Sequence, residues 1–357
     1  MKEQFSIHNS QLPVIERTLV ALSGGVDSAV AAALTLHEGH DCAGAVMKLY
    51  NGGEKTIKDA RSVADHIGIP LHVFDFTKQF AENVITPFIS EYKKGRTPNP
   101  CVYCNKHLKF GCFLTESTKM ERDFIATGHY AQVQRSASGR YLVKRGADAV
   151  KDQSYVLYTL TQEQLSKIKF PLGGLTKSRV REIALDAGLS FISGSESQDI
   201  CFIPDGDYAR FITEYTGEKP SKGRFIDKEG NVLGENKGVI SYTVGQRRGL
   251  GLSMPHPTYV LEIHPQDDTV VIGKDEYLYS KSLTANSINL IPFDKLDAPI
   301  RAHVRIRYKD PGHPATVHQT DTDTLYIEFD EPKRAITKGQ AAVIYDSDTV
   351  IGGGIIA

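Results

Sequence analysis

The sequence predicts an α/β protein in three parts: an N-terminal parallel-sheet domain over residues 1–207, a small, mostly β central domain over 208–280 and a C-terminal β-barrel over 281–357. Three observations lead there. Apolar strand-like runs alternate with helix-like stretches from Thr18 to Thr127, the pattern of a parallel sheet covered on both faces. From Tyr208 a short helix gives way to Gly-rich, strand-like segments with little helix. From Lys281 several short strands follow one another at hairpin spacing, the pattern of a small barrel.

The first strand is Thr18–Leu22, and the turn Ser23-Gly24-Gly25-Val26-Asp27-Ser28 leads into a helix over Asp27–Glu38 that stops at Gly39, a position suited to a left-handed cap. Cys42–Leu49 reads as a buried second strand. Lys58–Ile67 has helical spacing and stops at Gly68 and Pro70, ahead of a third strand at Leu71–Phe74. A helix over Phe80–Tyr92 tolerates Pro87, and Lys93-Lys94-Gly95-Arg96-Thr97-Pro98-Asn99-Pro100 is then a basic, Pro-rich loop that is neither helix nor central strand. Cys101-Val102-Tyr103-Cys104-Asn105 leads from this loop into a helical stretch reaching about Lys119. Phe124–Thr127 is a fourth strand whose carboxyl end carries Gly128-His129-Tyr130.

Beyond it come a short strand at Tyr141–Arg145, a helix opening at Lys151-Asp152-Gln153-Ser154, helices at Gln162–Lys167 and Lys177–Ala187, and an extended return through Ser195–Phe202. In the central part Arg224–Leu233, Gly238–Val244 and Thr258–Ile272 read as strand-like. In the last part Arg301–Arg307, Thr316–His318, Thr324–Phe329 and Ala341–Tyr345 read as strands, with Asp346-Ser347-Asp348 as a hairpin turn before Thr349–Ile356.

Composition narrows the class. At 40% hydrophobic and 24% charged residues this is ordinary globular protein, and its 357 residues exceed what one core usually serves. No apolar run approaches a membrane span and no signal peptide opens the chain, so a cytoplasmic protein without a membrane partner is expected. Five cysteines, an odd number, do not read as a secreted disulfide framework and point to thiol, metal or redox chemistry. A net charge of −1 neither advertises nor excludes nucleic acid, because a phosphate footprint depends on where the charges lie.

The turn Ser23–Ser28 makes an anion site. Two glycines allow a tight turn and close approach, and Ser23, Asp27 and Ser28 stand at a helix N-terminus whose N–H groups and dipole favour phosphate. No lysine follows, so it is not the loop that cradles β and γ phosphates for γ transfer. It suits the pyrophosphate of ATP when the α-phosphorus is the atom attacked. Ala21 and Leu22 lead into this turn, and Met47 and Gly128, at or just past the ends of two strands, are the expected adenine and ribose neighbours.

Cys101 and Cys104 form a Cys-x-x-Cys pair at a loop-to-helix junction, and Cys201 lies 97 residues further on. A thiol at a helix N-terminus has its pKa lowered, which favours the nucleophilic thiolate. Structural zinc usually takes four ligands, and a second Cys-x-x-Cys is absent. Cys42 and Cys112 read as core residues.

The strings Ser23–Ser28, Gly95–Pro100 with Cys104-Asn105-Lys106, Gly128-His129-Tyr130, Asp152-Gln153-Ser154 and Ser197–Phe202, with Gly245–Leu250 and Gly339-Gln340-Ala341, together resemble the bacterial tRNA-specific 2-thiouridylases. The resemblance spans nearly the whole chain. The first string alone is shared by many ATP-pyrophosphatase-type enzymes; the cysteine-bearing strings are not. The resemblance implies an ATP- and Mg²⁺-dependent sulfurtransferase that adenylates C2 of the wobble uridine of tRNA for Lys, Glu and Gln, then replaces the oxygen by sulfur. It implies that Cys201 carries a persulfide received from a cysteine desulfurase or sulfur-carrier protein, that Cys104 helps release the sulfur, and that the two end as a disulfide.

Where many members of that family carry Asp, this chain has Cys101. Cys101, Cys104 and Cys201 are therefore also a possible ligand set for a 4Fe–4S cluster with one open iron, and no metal is assigned with certainty. The resemblance places the target base against Asn99, Pro100 and Cys101, and tRNA against His129, Lys151, Asp152, Gln153, Arg307, Tyr308 and Gln340. Lys93, Lys94, Arg96, Arg247 and Arg248 are further basic loop residues. A monomer is expected, since tRNA can bridge the parts. The rival readings are an AMP-forming ligase acting on a small molecule, which would need neither Cys104 nor Cys201, and a non-catalytic RNA-binding protein, which would not need the phosphate turn.

Overall fold

A computed structural model describes residues 15–50, 53–192 and 200–357. Its N-terminal part holds β1 (Arg17–Ala21), β2 (Asp41–Lys48), β3 (Leu71–Asp75), β4 (Phe124–Ala126), the hairpin β5 (Ala131–Arg135) and β6 (Tyr141–Arg145), and β7 (Ile168–Lys169). Five of these form a sheet in the order β3-β2-β1-β4-β7, with every pairing parallel. Leu19 and Val20 of β1 are fully buried, as central strands covered on both faces require. The Ala-rich helix Val26–His37 packs Ala29, Val30, Ala31 and Ala32 on one face, and Phe80, Phe88, Phe110 and Phe113 fill the other. Each such buried aromatic contributes about 1.5–3 kcal/mol relative to exposure.

The order reverses at β1, which sends the chain to β2 and β3 on one side and receives β4 on the other. In an open parallel sheet the crevice beyond the carboxyl ends at such a reversal is where ligands bind. The turn after β1 and Gly128-His129 after β4 are therefore brought together by topology alone.

The central part is a four-stranded sheet of β8 (Gly223–Ile226), β9 (Val232–Asn236), β10 (Tyr259–His264) and β11 (Thr269–Gly273), in the order β10-β11-β8-β9. The last part contributes β12 (Tyr279–Leu290), β13 (Ile300–Arg305), β14 (His313–Asp321), β15 (Thr324–Arg334), β16 (Ala341–Asp346) and β17 (Thr349–Ile356). The ladder β12-β15-β14-β13-β16-β17 closes because β12 also pairs with β17, which makes a six-stranded barrel without free edges.

Five features differ from the sequence reading. The hairpin β5–β6 leaves the parallel sheet and extends the barrel sheet through Thr349 opposite Lys144 and Val350 opposite Val143. β5, β7 and β12 are additional strands; two residues of β7 are too short to show a period, and β12 is interrupted by bulges. Gly238–Val244 is not a strand but a 3₁₀ turn at Val239–Ser241. The helix expected to open at Lys151 is a 3₁₀ turn at Ser154–Leu157. The cysteine helix begins at Pro100, because Asn99 caps it and Pro suits a first helical position, and it is π-wound from Asn105 to Cys112. The expected return through Ser195–Phe202 lies outside the described residues up to residue 199.

Candidate active site

The phosphate turn holds its own shape. Ser28 Oγ accepts from Ser23 N (3.0 Å), meets Ser23 Oγ at 3.1 Å and donates to the Gly25 carbonyl (2.9 Å). Leu22, buried beside β2, donates its N–H to the Ala45 carbonyl over 2.8 Å and fixes where the turn departs. Gly24 lies at φ +75°, and a Cβ there would meet Asp59 Cβ at 2.5 Å. No side chain caps the helix that follows, so its first N–H groups face the crevice. Gly128 closes in from β4: a Cβ on it would stand 2.9 Å from the Asp27 carbonyl carbon and 3.0 Å from Ser28 N. This cradle of small residues at a helix N-terminus fits the phosphates of ATP. Met47, near the end of β2 and half-buried, sits beside Phe74 of β3, one strand away.

The cation missing from the turn's own sequence comes from elsewhere. Lys177, the buried first residue of the helix Lys177–Asp186, donates from Nζ to Asp27 Oδ1 over 2.7 Å, and the Tyr130 hydroxyl donates to the same oxygen over 2.6 Å. Tyr130 is in turn gripped by Gln153, whose Oε1 accepts from Tyr130 N (3.0 Å) while its own N–H donates to the Tyr130 carbonyl (2.9 Å).

Past Gly128, His129 is buried between Phe110 and Phe170. Its Nδ1 pairs with the Thr127 hydroxyl at 2.7 Å and its Nε2 lies 3.4 Å from Lys109 Nζ. Burial, then the neighbouring Lys109 charge, hold its pKa well below the usual histidine range, so the ring is neutral.

The thiols form one electrostatic group. Cys104 is buried; Cys101 and Cys201 open to solvent. Burial pushes Cys104 up to about 12, with Lys109 opposing and Cys201 and Cys101 adding to the rise. Surrounding protein also desolvates Cys201 and Cys101 enough to raise both, Cys101 adding to the rise at Cys201 and Lys109 opposing it at each. The lowering expected from a helix N-terminus is thus outweighed by desolvation. All three are free thiols, and among the described residues no three His, Cys, Asp or Glu side chains are grouped to hold a metal ion. As placed among the described residues they do not fit a cluster. Cys42, buried in β2, is pushed up to about 11 by burial first and then by Asp41.

All three parts of the chain grip the loop before the cysteines. Thr97 donates its N–H to the Lys338 carbonyl (2.8 Å), its hydroxyl to Thr243 Oγ1 (3.2 Å), and accepts at its carbonyl from Gln340 Nε2 (2.8 Å). Arg96 donates to the Ile356 carbonyl over 2.9 Å and pairs with Glu91 at 2.8 Å. Lys93 and Lys94 are likewise paired, with Glu218 and Glu91. Asn99 spends its side chain on capping Cys101 N (3.1 Å), and Pro100 is buried.

Asp152 is buried and faces inward. It accepts from Arg305 Nη1 (3.2 Å), from Ser154 Oγ and N (3.0 Å each) and from Gly146 N (3.2 Å), while Arg305 lies over Tyr155 and Tyr345. Tyr308 stands edge-on to Tyr155 with centroids 6.0 Å apart, and burial first, then Asp152, push its hydroxyl up, with Arg305 opposing and Cys101 adding a smaller rise. Arg307 is exposed and donates to the Arg334 carbonyl. Lys151 is half-buried beside Asp148, to which its N–H donates. The structure thus gathers the phosphate turn, Gly128, His129 and the cysteines at one sheet end, with Tyr308 and Gln340 brought in from the barrel, while Arg247 and Arg248 lie on an exposed loop of the central part.

Sequence reasoning missed Lys177 and Lys109. A lysine at the first position of a helix stands against the dipole, which was a signal at Lys177. Lys109 left none, because its contact, His129 Nε2 at 3.4 Å, lies 20 residues further along the chain.

A phosphate turn without its own lysine, at the switch point of a parallel sheet and with thiols beside it, defines an adenylating enzyme of the pyrophosphate-loop class. Family models match along the chain: the tRNA methyl transferase HUP domain over residues 16–205, the tRNA methyl transferase PRC-barrel domain over 209–274 and the aminomethyltransferase β-barrel domain over 280–356. The tRNA-specific 2-thiouridylase MnmA of Clostridioides difficile is 44% identical over 353 residues, covering 96% of this chain and 98% of that protein. Its namesake from Halothermothrix orenii is 45% identical over 354 residues, covering 96% and 99%. The chain belongs to the tRNA-specific 2-thiouridylase family. Solved structures align more loosely: the U34-tRNA thiolase NcsA from Methanococcus maripaludis, described with its 4Fe–4S cluster, is 16% identical with a TM-score of 0.34, over 56% of this chain and 67% of that one. A likeness that slight adds nothing to the reading of these thiols.

Proposed function

We propose that this chain converts the wobble uridine of tRNA for Lys, Glu and Gln to 2-thiouridine, spending ATP to activate the C2 oxygen. The observation that carries this is the convergence of the phosphate turn and the Cys104–Cys201 pair at one sheet end, joined by Gly128-His129.

A uracil carbonyl oxygen is a poor leaving group until it is phosphorylated. The O2 oxygen attacks the α-phosphorus of ATP, forming an O–P bond and expelling pyrophosphate, whose charge is met by the first-turn N–H groups, Ser23, Ser28 and Lys177. Mg²⁺ bound with the nucleotide offsets the remaining phosphate charge. The terminal sulfur of a persulfide on Cys201 then attacks C2, and AMP leaves with the oxygen. Cys104 attacks Sγ of Cys201, the S–S bond breaks with its electron pair moving to the sulfur now on C2, and the Cys104 thiol proton passes to the released 2-thiouracil ring. The products are 2-thiouridine and a Cys104–Cys201 disulfide, which a thiol reductant must reopen before the next cycle.

The persulfide sulfur comes from a cysteine desulfurase or sulfur-carrier protein. We assign the flipped base to the Asn99–Cys101 edge, where Cys101 opens to solvent and Tyr308 stands nearby, and the tRNA to Lys151, Arg307 and the exposed Arg247 and Arg248. The protein works as a cytoplasmic monomer; among the described residues no helix is long and apolar enough to cross a membrane.

The test is mass spectrometry of nucleosides from unmodified tRNA-Lys after incubation with the protein, ATP, Mg²⁺ and a persulfide donor. 2-Thiouridine from wild type and from Cys101→Ala, with none from Cys104→Ala or Cys201→Ala, supports the two-thiol route. Loss in all three, with a visible chromophore in the wild type, replaces that route by a cluster. Pyrophosphate release onto a small acceptor without tRNA would point to a ligase.

A further inference from the structure

Three backbone N–H groups meet the two oxygens of Asp148, in the loop that follows β6. Oδ1 accepts from Val150 N over 3.0 Å and from Lys151 N over 3.2 Å, and Oδ2 accepts from Lys177 N over 2.9 Å. These amides, that of Lys177 first, hold the Asp148 carboxyl below its ordinary range against the opposing effect of burial, so it is ionised at neutral pH. Only a carboxylate accepts at both ends; an amide would turn its NH2 group toward one set of donors. The same loop is tied at its entry, where Ala147 donates its N–H to the Gly173 carbonyl over 2.8 Å, and Gly173 stands so close to β5 that a Cβ on it would meet the Ala131 carbonyl oxygen at 2.0 Å.

The oxygen facing Lys177 stands where the nucleotide site needs support. Lys177 opens the helix Lys177–Asp186, so its N–H is one of the amides left without an intrahelical acceptor, and its charge lies against the positive end of the helix dipole. Asp148 meets both difficulties, because it accepts that N–H and puts a negative charge at the same helix end. From this fixed point the side chain crosses to the phosphate turn and donates from Nζ to Asp27 Oδ1 over 2.7 Å. A second hydrogen-bonded route, from Gln153 through Tyr130, ends on the same oxygen. The loop over residues 148–153 thus holds Asp27 from both its ends, through Asp148 and Lys177 on one side and through Gln153 and Tyr130 on the other.

We propose that Asp148 is a positioning residue of the nucleotide site: it fixes the start of the Lys177 helix to the Val150–Lys151 turn, so that the lysine ammonium reaches the phosphate turn already aimed. This rests on the reading of Ser23–Ser28 as the site of ATP. Asp148 acts through Lys177 and not on the nucleotide itself. The phosphate turn carries no lysine of its own, and a lysine side chain loses much rotamer freedom when it is held in one place. Anchoring its backbone to Asp148 and its Nζ to Asp27 before ATP arrives leaves less freedom to be lost on binding.

The experiment is equilibrium binding of a non-hydrolysable ATP analogue to the full-length protein in a double-mutant cycle of wild type, Asp148→Asn, Lys177→Met and both changes together, with the melting temperature recorded for each. Asp148→Asn should weaken binding about three- to tenfold, as one hydrogen bond lost. Once Lys177 is already Met, the same change should matter by less than about twofold. If Asp148→Asn does not fold, Asp148→Ser, which keeps one acceptor, is read in its place, alone and with Lys177→Met. A residue needed only for the fold lowers the affinity by the same factor in both backgrounds, and that result would overturn the proposal. So would unchanged binding in the single variant. The two readings fail in different ways. A wild type that binds no analogue removes the ATP reading and the role of Asp148 with it. Binding that is weakened by Lys177→Met but not by Asp148→Asn sinks the role of Asp148 alone.

Discussion

Gln340 reaches from the barrel to the loop before the cysteines and donates from Nε2 to the Thr97 carbonyl over 2.8 Å. Gly339 is pressed against the same residue, where a Cβ would meet Thr97 N at 3.0 Å. The barrel therefore positions the Cys101–Cys104 helix rather than merely flanking it. Gln340→Ala should lower the rate of thiolation about three- to tenfold, the scale of one lost hydrogen bond, and leave the KM for ATP unchanged. Single-turnover thiolation with saturating ATP checks this; a raised KM for ATP with an unchanged rate would contradict it.

Lys177 and Tyr130 converge on one oxygen of Asp27 in the phosphate turn. Lys177→Met should weaken ATP binding by at least tenfold, since it removes a cation from a phosphate site and leaves Asp27 short of its partner. Tyr130→Phe should cost less, about three- to tenfold, as one hydrogen bond lost. Equilibrium binding of a non-hydrolysable ATP analogue reads both, and equal effects would mean that the charge does not matter.

At Gly128 the added methyl of Gly128→Ala would lie 2.9 Å from the Asp27 backbone, which must shift. The helix and β4 around it are packed, so the displacement falls on the phosphate turn. ATP-dependent activity should fall at least a hundredfold while the melting temperature changes by only a few degrees, since overpacking costs about 1–3 kcal/mol.

The buried Asp152–Arg305 pair joins the N-terminal part to the barrel. Breaking it by Arg305→Met leaves an uncompensated carboxylate and should cost about 3–5 kcal/mol. Replacing both residues by apolar ones should recover much of that. Chemical denaturation of the two variants decides: if the double change is as destabilised as the single one, the pair itself and not the orphaned charge is what counts.

Thiol reactivity should rise with pH and follow burial. Cys104, pushed up to about 12, and Cys42, pushed up to about 11, are protonated at pH 8 and should alkylate far more slowly than Cys101 and Cys201. These groups are acids raised in the folded state, so that state holds their protons longer than the unfolded chain does. Stability should therefore fall as pH rises beyond about 8.5, the ordinary thiol value. Denaturation at pH 7.5 and 9.5 tests the sign, and greater stability at pH 9.5 would refute it.

The phosphate turn was legible because every feature of it is local: apolar strand, two glycines, polar residues, Ala-rich helix. Strand order could not be read residue by residue, yet alternation alone placed Ser23–Ser28 at a strand end, which is where it lies. What escaped depends on distant partners. Lys177 acts across 150 residues, and Asp152 is hidden because Arg305, 153 residues on, neutralises it inside the protein. Tyr141–Arg145 read only as a short strand, and nothing in it says that its neighbours are Ala131–Arg135 and Thr349. Lys109 escaped because its contact, His129, stands on a strand end 20 residues away.

The splice between β6 and β17 sets an order of assembly during synthesis. Lys144 and Val143 have no partner on that edge until Thr349 and Val350 have been made, more than two hundred residues later. Thr97, close to the cysteines, likewise waits for Lys338 and Gln340. A ribosome-bound chain carrying only the sheet and its phosphate turn therefore lacks the contacts that fix the cysteine loop. Its thiols acquire their final surroundings when the barrel closes, so an unfinished chain has the means to hold ATP before it has a fixed sulfur-transfer site.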